Sequence, residues 1–217
     1  MLAQLSKQVD DWCRSAAAVD WNGSFSSLEA CQALSQQLTE SKFLQELLMT
    51  LPINSKLLEQ CEQLQGIKKL VLIDDTANDI KLRIHLFEDY AFDVAHNHKW
   101  SFFSTVLKGG YTQFLHGEVG NNATTEDIQK MPVSTATRYE EGDSYFLRHN
   151  MVHSLRALPK TVTLVIRGPI LRQQSLWHDF KSKKQWYHQG DETDSLKRKL
   201  RVHETEATVS KISSLLK

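Results

Sequence analysis

Between Lys68 and Gly168 the chain runs through a series of short segments rich in Val, Ile, Phe and Tyr, each separated from the next by turn-forming residues. The segments are KKLVLID, IKLRIHLFE, SFFSTVLKG, YTQFLHGEV, TRYEEG, DSYFLR, HSLRAL and TVTLVIRG. β-Branched and aromatic side chains favour extended backbone, whereas DDTAND, FEDYAF, KGGY, GEVGNN, EEGD and ALPK favour turns. No helical periodicity lies between them, which argues against alternating strand and helix units. About eight strands in roughly a hundred residues predict an antiparallel jelly roll or barrel.

The flanking regions have a different texture. Residues 1–66 are built from Leu, Gln, Ser, Glu and Lys, with apolar positions at helical spacing: Leu28, Cys31, Leu34 and Leu38, then Phe43, Leu44, Leu47 and Leu48. Ser26 and Glu29 have the spacing of a capping box, and Pro52 predicts a break before a further helix ending near Gly66. This helical region would serve as a cap for the barrel or as the surface of a homodimer. Residues 173–217 are polar again, and DSLKRKLRVHETEATVSKISSLLK reads as a charged, solvated helix. The expected organisation is an N-terminal helical region (1–66), a mainly β barrel (67–172) and a polar helical tail (173–217).

Charge and cysteine content narrow the class. The chain of 217 residues carries 26 basic and 26 acidic side chains, so no overall field favours nucleic acid or an anionic membrane. MLAQLSKQVDDW lacks the pattern of an export signal, and no apolar run reaches the roughly 18 residues of a membrane span. A soluble cytoplasmic protein is expected. Cys13, Cys31 and Cys61 are odd in number and widely spaced, which predicts reduced thiols packed among helices.

The chemistry centres on AHNHKW. Side chains at i and i+2 of a strand share a face, so His96 and His98 converge if that face is the interior. Spacing alone leaves both a metal site and a pair of surface histidines open. HNHKWSFFSTVLKGGY resembles the first sequence motif of the cupin superfamily, and EEGDSYFLRHNMVHSLRAL resembles the second, G-x5-P-x-G-x2-H. Counted from Gly142, the second motif places its histidine at His153. Arg148 and Asn150 stand where that motif has proline and glycine, and Phe102 stands where the first has a glutamate.

The resemblance therefore implies a double-stranded β-helix, the cupin jelly roll, with a metal held by His96, His98 and His153 and no carboxylate. That ligand set is similar to the one in cysteine dioxygenase and related thiol dioxygenases. It implies Fe(II), although imidazoles also suit Zn, Ni and Cu. A dioxygenase acting on a small anionic substrate, with dioxygen as co-substrate, is the first functional reading. A metal-dependent isomerase, lyase or hydrolase and a non-catalytic ligand-binding protein are the alternatives.

Several residues are candidates for the substrate side. Arg83 and His85 share a strand face opposite to Leu82, Ile84 and Leu86, so Arg83 binds an anion if that face is the interior and is ordinary strand polarity if it is not. Arg148 and Arg167 carry the same two readings. Tyr111 could offer a hydroxyl, as could Tyr145, and His116 a polar group on the next strand. Ser104 follows Phe102 on one face. His149 reads as a turn residue, and His178, His188 and His203 as surface.

Overall fold

The computed structural model describes residues 2–64, 66–88, 94–188 and 197–217. The N-terminal region forms α1 (Leu2–Ala17), α2 (Phe25–Thr39), α3 (Phe43–Thr50), a 3-10 turn at Leu51–Ile53 and the single-turn α4 (Ser55–Leu58). The cap of α2 differs from the expected one. Ser24 is the N-cap, and Ser27 completes the capping box. Serine at the third helical position serves here because its hydroxyl reaches back to the Ser24 amide at 3.0 Å. The stretch read as helix up to Gly66 instead ends in the strand β1 (Glu62–Leu64).

All eight expected strands are present: β2 (Ile67–Asp75), β3 (Ile80–Phe87), β5 (Trp100–Lys108), β6 (Gly110–Glu118), β7 (Thr135–Glu140), β8 (Ser144–Leu147), β9 (Met151–Ala157) and β10 (Thr161–Ile170). A three-residue strand, β4 (Val94–His96), precedes β5. The short α5 (Thr125–Gln129) lies between β6 and β7. The C-terminal segment carries β11 (Ser175–Asp179), β12 (Gln185–His188) and β13 (Lys197–Lys199) before α6 (Val202–Leu215). Part of the turn read at FEDYAF and the start of the expected terminal helix, Asp194 to Leu196, lie outside the described residues.

These strands form two antiparallel sheets. The first has the order β13-β1-β2-β3-β10-β5-β8 and the second β12-β11-β4-β9-β6-β7. The consecutive strands β3 to β10 thus divide as 3-10-5-8 and 4-9-6-7, the strand order of a jelly roll. The chain is mainly β, with helices at both ends.

Alternation along β3 fixes how the layers stack. Ile80, Leu82, Ile84 and Leu86 are buried in one cluster with Trp12, Leu38, Leu48 and Ile212, so this outer face lies under the terminal helices. Lys81, Arg83, His85 and Phe87 point the other way, into the cavity between the sheets. β10 follows the same rule, with Val162, Leu164 and Ile166 outward and Thr163, Val165 and Arg167 inward. The outer face of the second sheet is covered in part by α5, where Ile128 joins Ala95, Val152 and Leu176. All three cysteines are free thiols.

Trp21, in the turn after α1, locks the helices to the first sheet. Its indole donates to the Ala16 carbonyl at 3.3 Å and lies directly on the backbone of Gly168 in β10. A Cβ at Gly168 would collide with the indole ring. Gly168→Ala is therefore expected to cost about 1–3 kcal/mol of stability through overpacking. Denaturant unfolding measures this, and an unchanged midpoint would show that the Trp21 contact is dispensable.

Candidate metal centre and anion-binding cavity

His96 ends β4, His98 lies two residues further on, and His153 sits in β9. β4 pairs with β9 at a single register position, His96 opposite His153, so the ladder itself brings two of the rings together. Asn97 directs its side chain away from them. Its side-chain oxygen Oδ1 accepts from the Leu176 backbone N–H at 2.7 Å, while the Asn97 backbone N–H donates to the Leu176 carbonyl at 3.2 Å. This bracket extends the pairing with β11 past the end of β4. The His98 amide then donates to the His149 carbonyl at 3.3 Å, which holds the third ring over the cavity.

One ligand nitrogen from each ring falls within 4.8 Å of the others, and the Nε2 atoms of His98 and His153 are 2.8 Å apart. Two imidazoles sharing one metal ion at about 2.0–2.1 Å would bring their nitrogens to a comparable separation. The opposite ring nitrogens are anchored. His96 Nδ1 meets the Val94 carbonyl at 3.0 Å, and His153 Nδ1 meets the Gln113 amide group at 3.1 Å. The Val94 carbonyl accepts from His96 Nδ1–H and leaves Nε2 to coordinate; at His153 the same tautomer requires the Gln113 amide to turn its oxygen toward Nδ1. Burial pushes His98 and His153 well below the ordinary histidine range, and the neighbouring rings push in the same direction. Both are neutral at pH 7, the protonation state a metal requires. The residues present fit a divalent transition metal.

Aromatic side chains wall the cluster. Trp177 stacks on His96 with centroids 4.2 Å apart, and Phe102 meets the edge of His98 at 4.8 Å. Phe102 thus lies beside the histidines, in the register expected for the missing carboxylate. Tyr111 and Tyr145 lie deeper, with Ser104 Oγ 3.4 Å from the Tyr111 hydroxyl. Burial raises both phenols, Tyr111 to about 12 and Tyr145 well above its usual value, so both keep their protons at neutral pH.

The histidines open onto a cavity of about 370 Å³ whose other wall is the inner face of the first sheet. Arg83 and Arg167 both reach it, with guanidinium carbons 5.7 and 4.5 Å from the centroid of the Trp100 ring. Arg167 also donates to the Asp79 carboxylate at 2.7 Å. Burial alone would raise the Asp79 carboxyl, but hydrogen bonds from Arg167 and the Ile170 amide hold it below its ordinary range.

The other two substrate-side candidates lie elsewhere. Arg148 pairs with Glu118 and packs against Gly23, outside the cavity lining. His116 is the unpaired residue of a β-bulge between Leu115 and Gly117 in β6 and lies outside the cavity lining, where its Nε2 meets Ser154 Oγ at 3.0 Å. His178, expected at the surface, is buried behind β11, because that strand is a covered member of the second sheet. Gln113 and Trp177 were missed as site residues. The parity of Gln113 with Tyr111 was the available signal, whereas Trp177 sits in a short polar segment that gives no strand pattern.

No protein-family model matches the chain, and no curated protein matches it. Among solved structures it is similar to KdgF from Halomonas sp., at 18% identity over 48% of this chain and 79% of that one, with a TM-score of 0.36. An RmlC-like cupin from Shewanella frigidimarina is similar at 14% identity, over 49% and 79%, with a TM-score of 0.36. Pac13, a nucleoside dehydratase from Streptomyces, is similar at 14% identity, over 54% and 82%, with a TM-score of 0.39.

Below about pH 6.5 an unfolded chain protonates its histidines, whereas buried His85, His98 and His153 resist protonation. The unfolded state then binds more protons, so stability falls as pH falls. The slope is about 1.4 kcal/mol per pH unit for each histidine that stays neutral. Thermal melts of chelator-treated protein from about pH 7.5 to about pH 5.5 test this, and a level melting temperature would contradict it.

Proposed function

We propose that this chain is a mononuclear metal-dependent enzyme acting on a small anionic molecule, and that its reaction is an Fe(II)-dependent dioxygenation. The observation that carries the reading is the convergence of three imidazoles, without a carboxylate, on one wall of a cavity whose opposite wall is cationic. A divalent ion bound there would supply Lewis acidity and open positions for substrate and dioxygen. His96, His98 and His153 hold it. Arg83 and Arg167 hold the anionic end of the substrate, and Phe102 and Trp177 keep water from the reacting end. The Tyr111 and Tyr145 hydroxyls donate hydrogen bonds to substrate oxygens.

Those protonated phenols also favour a second reading, a metal-dependent lyase, isomerase or hydrolase in which a tyrosine delivers a proton to the leaving oxygen. Elemental analysis of protein purified without added metal, followed by oxygen-consumption assays, separates the two. Iron with oxygen uptake supports dioxygenation. Zinc or nickel without oxygen uptake supports the second reading, and absence of bound metal would overturn both.

Two substitutions test the site directly. His98→Ala or His153→Ala should remove most bound metal while the fold persists, as read by elemental analysis and circular dichroism. Phe102→Glu puts a carboxylate beside His98, so metal affinity should hold or rise while turnover falls, because substrate loses a coordination position. Weaker metal binding together with a lower melting temperature would place residue 102 outside the metal's reach.

A further inference from the structure

The inner face of the first sheet carries its charges in rows set by strand register. In one row Lys199 of β13, Glu62 of β1 and Lys69 of β2 are successive neighbours, and Lys69 Nζ lies 3.8 Å from the Glu62 carboxylate. In another, Asp74, Lys81 and Arg167 align across β2, β3 and β10. Lys81 is 3.2 Å from Asp74, and Arg167 is 2.7 Å from Asp79. Arg83 lies in the row between them. Among the described residues it forms no direct ion pair, the Glu62 and Asp74 charges acting on it only at longer range, and its buried Nε has no hydrogen-bond partner.

Like charges on adjoining positions of a sheet are destabilising, and a buried guanidinium without a directly bonded partner is more so. Lys199, at the exposed edge of the same cavity, donates from Nζ to the Glu59 carbonyl at 2.7 Å. Arg83 and Arg167 approach the same Trp100 ring, which concentrates positive charge at one locus. Two guanidinium groups converging on a single locus fit one compact dianionic group, with several oxygens to accept their N–H bonds, better than two separated carboxylates.

We propose that this wall, centred on Arg83, is a subsite for a tetrahedral dianion, the phosphate or phosphonate group of a small substrate whose other end faces the histidines. This rests on the metal-enzyme reading for the orientation of the substrate, but anion binding itself needs no metal.

Isothermal titration calorimetry of chelator-treated protein with inorganic phosphate and with methylphosphonate, at about 0.15 M ionic strength, tests it. Saturable one-to-one binding, tighter than that of acetate or succinate, is expected. Arg83→Gln should weaken it at least about ten-fold, the loss of one charge-assisted hydrogen bond or more. Lys199→Gln, at an exposed edge where it cannot disturb the core, should weaken it about three-fold and keeps the test open if Arg83→Gln fails to fold. Tighter succinate binding would replace the phosphoryl group with a dicarboxylate. Absence of saturation, or affinity unchanged in both variants, would overturn the subsite. Metal content of untreated samples reports separately on the histidine site, so either assignment can fail alone.

Discussion

The cavity depends on the seal between the terminal helices and the outer face of the first sheet. A sheet packed on one face is free to carry charge on the other, and β3 uses that freedom fully: four aliphatic side chains point under the helices while Lys81, Arg83 and His85 point inward. The usual jelly-roll core between two sheets is correspondingly thin, restricted to small clusters such as Phe102, Leu147 and Val165. Most of the buried apolar surface lies between sheet and helix. Trp12 and Trp21 extend that layer from the N-terminal side, and Val209 and Ile212 from the C-terminal helix. The helical ends are thus part of the core that permits a polar cavity.

The histidine cluster is held by backbone rather than by side-chain packing alone. Asn97 supplies the reason for the residue between the two histidines, because its amide group imitates a further step of strand pairing with Leu176. The segment can then leave β4 without losing its register. Ser101 contributes from the following strand by accepting the His149 amide at 3.2 Å, which steadies the turn that leads to His153. The His96 and His153 rings are held through Nδ1, on the side away from the cluster, while His98 is held by its backbone amide.

Much of this was legible in the sequence, and the exceptions share a cause. The eight expected strands were readable because each combines β-branched or aromatic residues with turn signals, and the relation of His153 to Gly142 follows from the register of the motif that the sequence resembles. β4 and β11 to β13 were not readable. They are three to five residues long, too short to show an alternating pattern, and their pairing is decided by neighbours distant in sequence. The interior placement of Arg83 could be stated only as a condition, because alternation gives two faces and does not say which one the helices cover. The orientation of Tyr111 followed from parity, whereas His116 is the extra residue of the β-bulge between Leu115 and Gly117, and a bulge cannot be read from alternation.

The two walls of the cavity oppose folding in the same way. Imidazoles crowd together on one side, at a distance where a shared proton or a cation is the natural link, and guanidinium and ammonium groups crowd on the other. Removing either set in favour of apolar side chains would relieve repulsion or desolvation without opening the helix seal that stabilises the fold. The cavity is therefore a local departure from the stability optimum, carried by a core located elsewhere. A metal ion would relieve one wall and an anion the other, so a molecule bearing a dianionic group and a metal-seeking end would satisfy both at once.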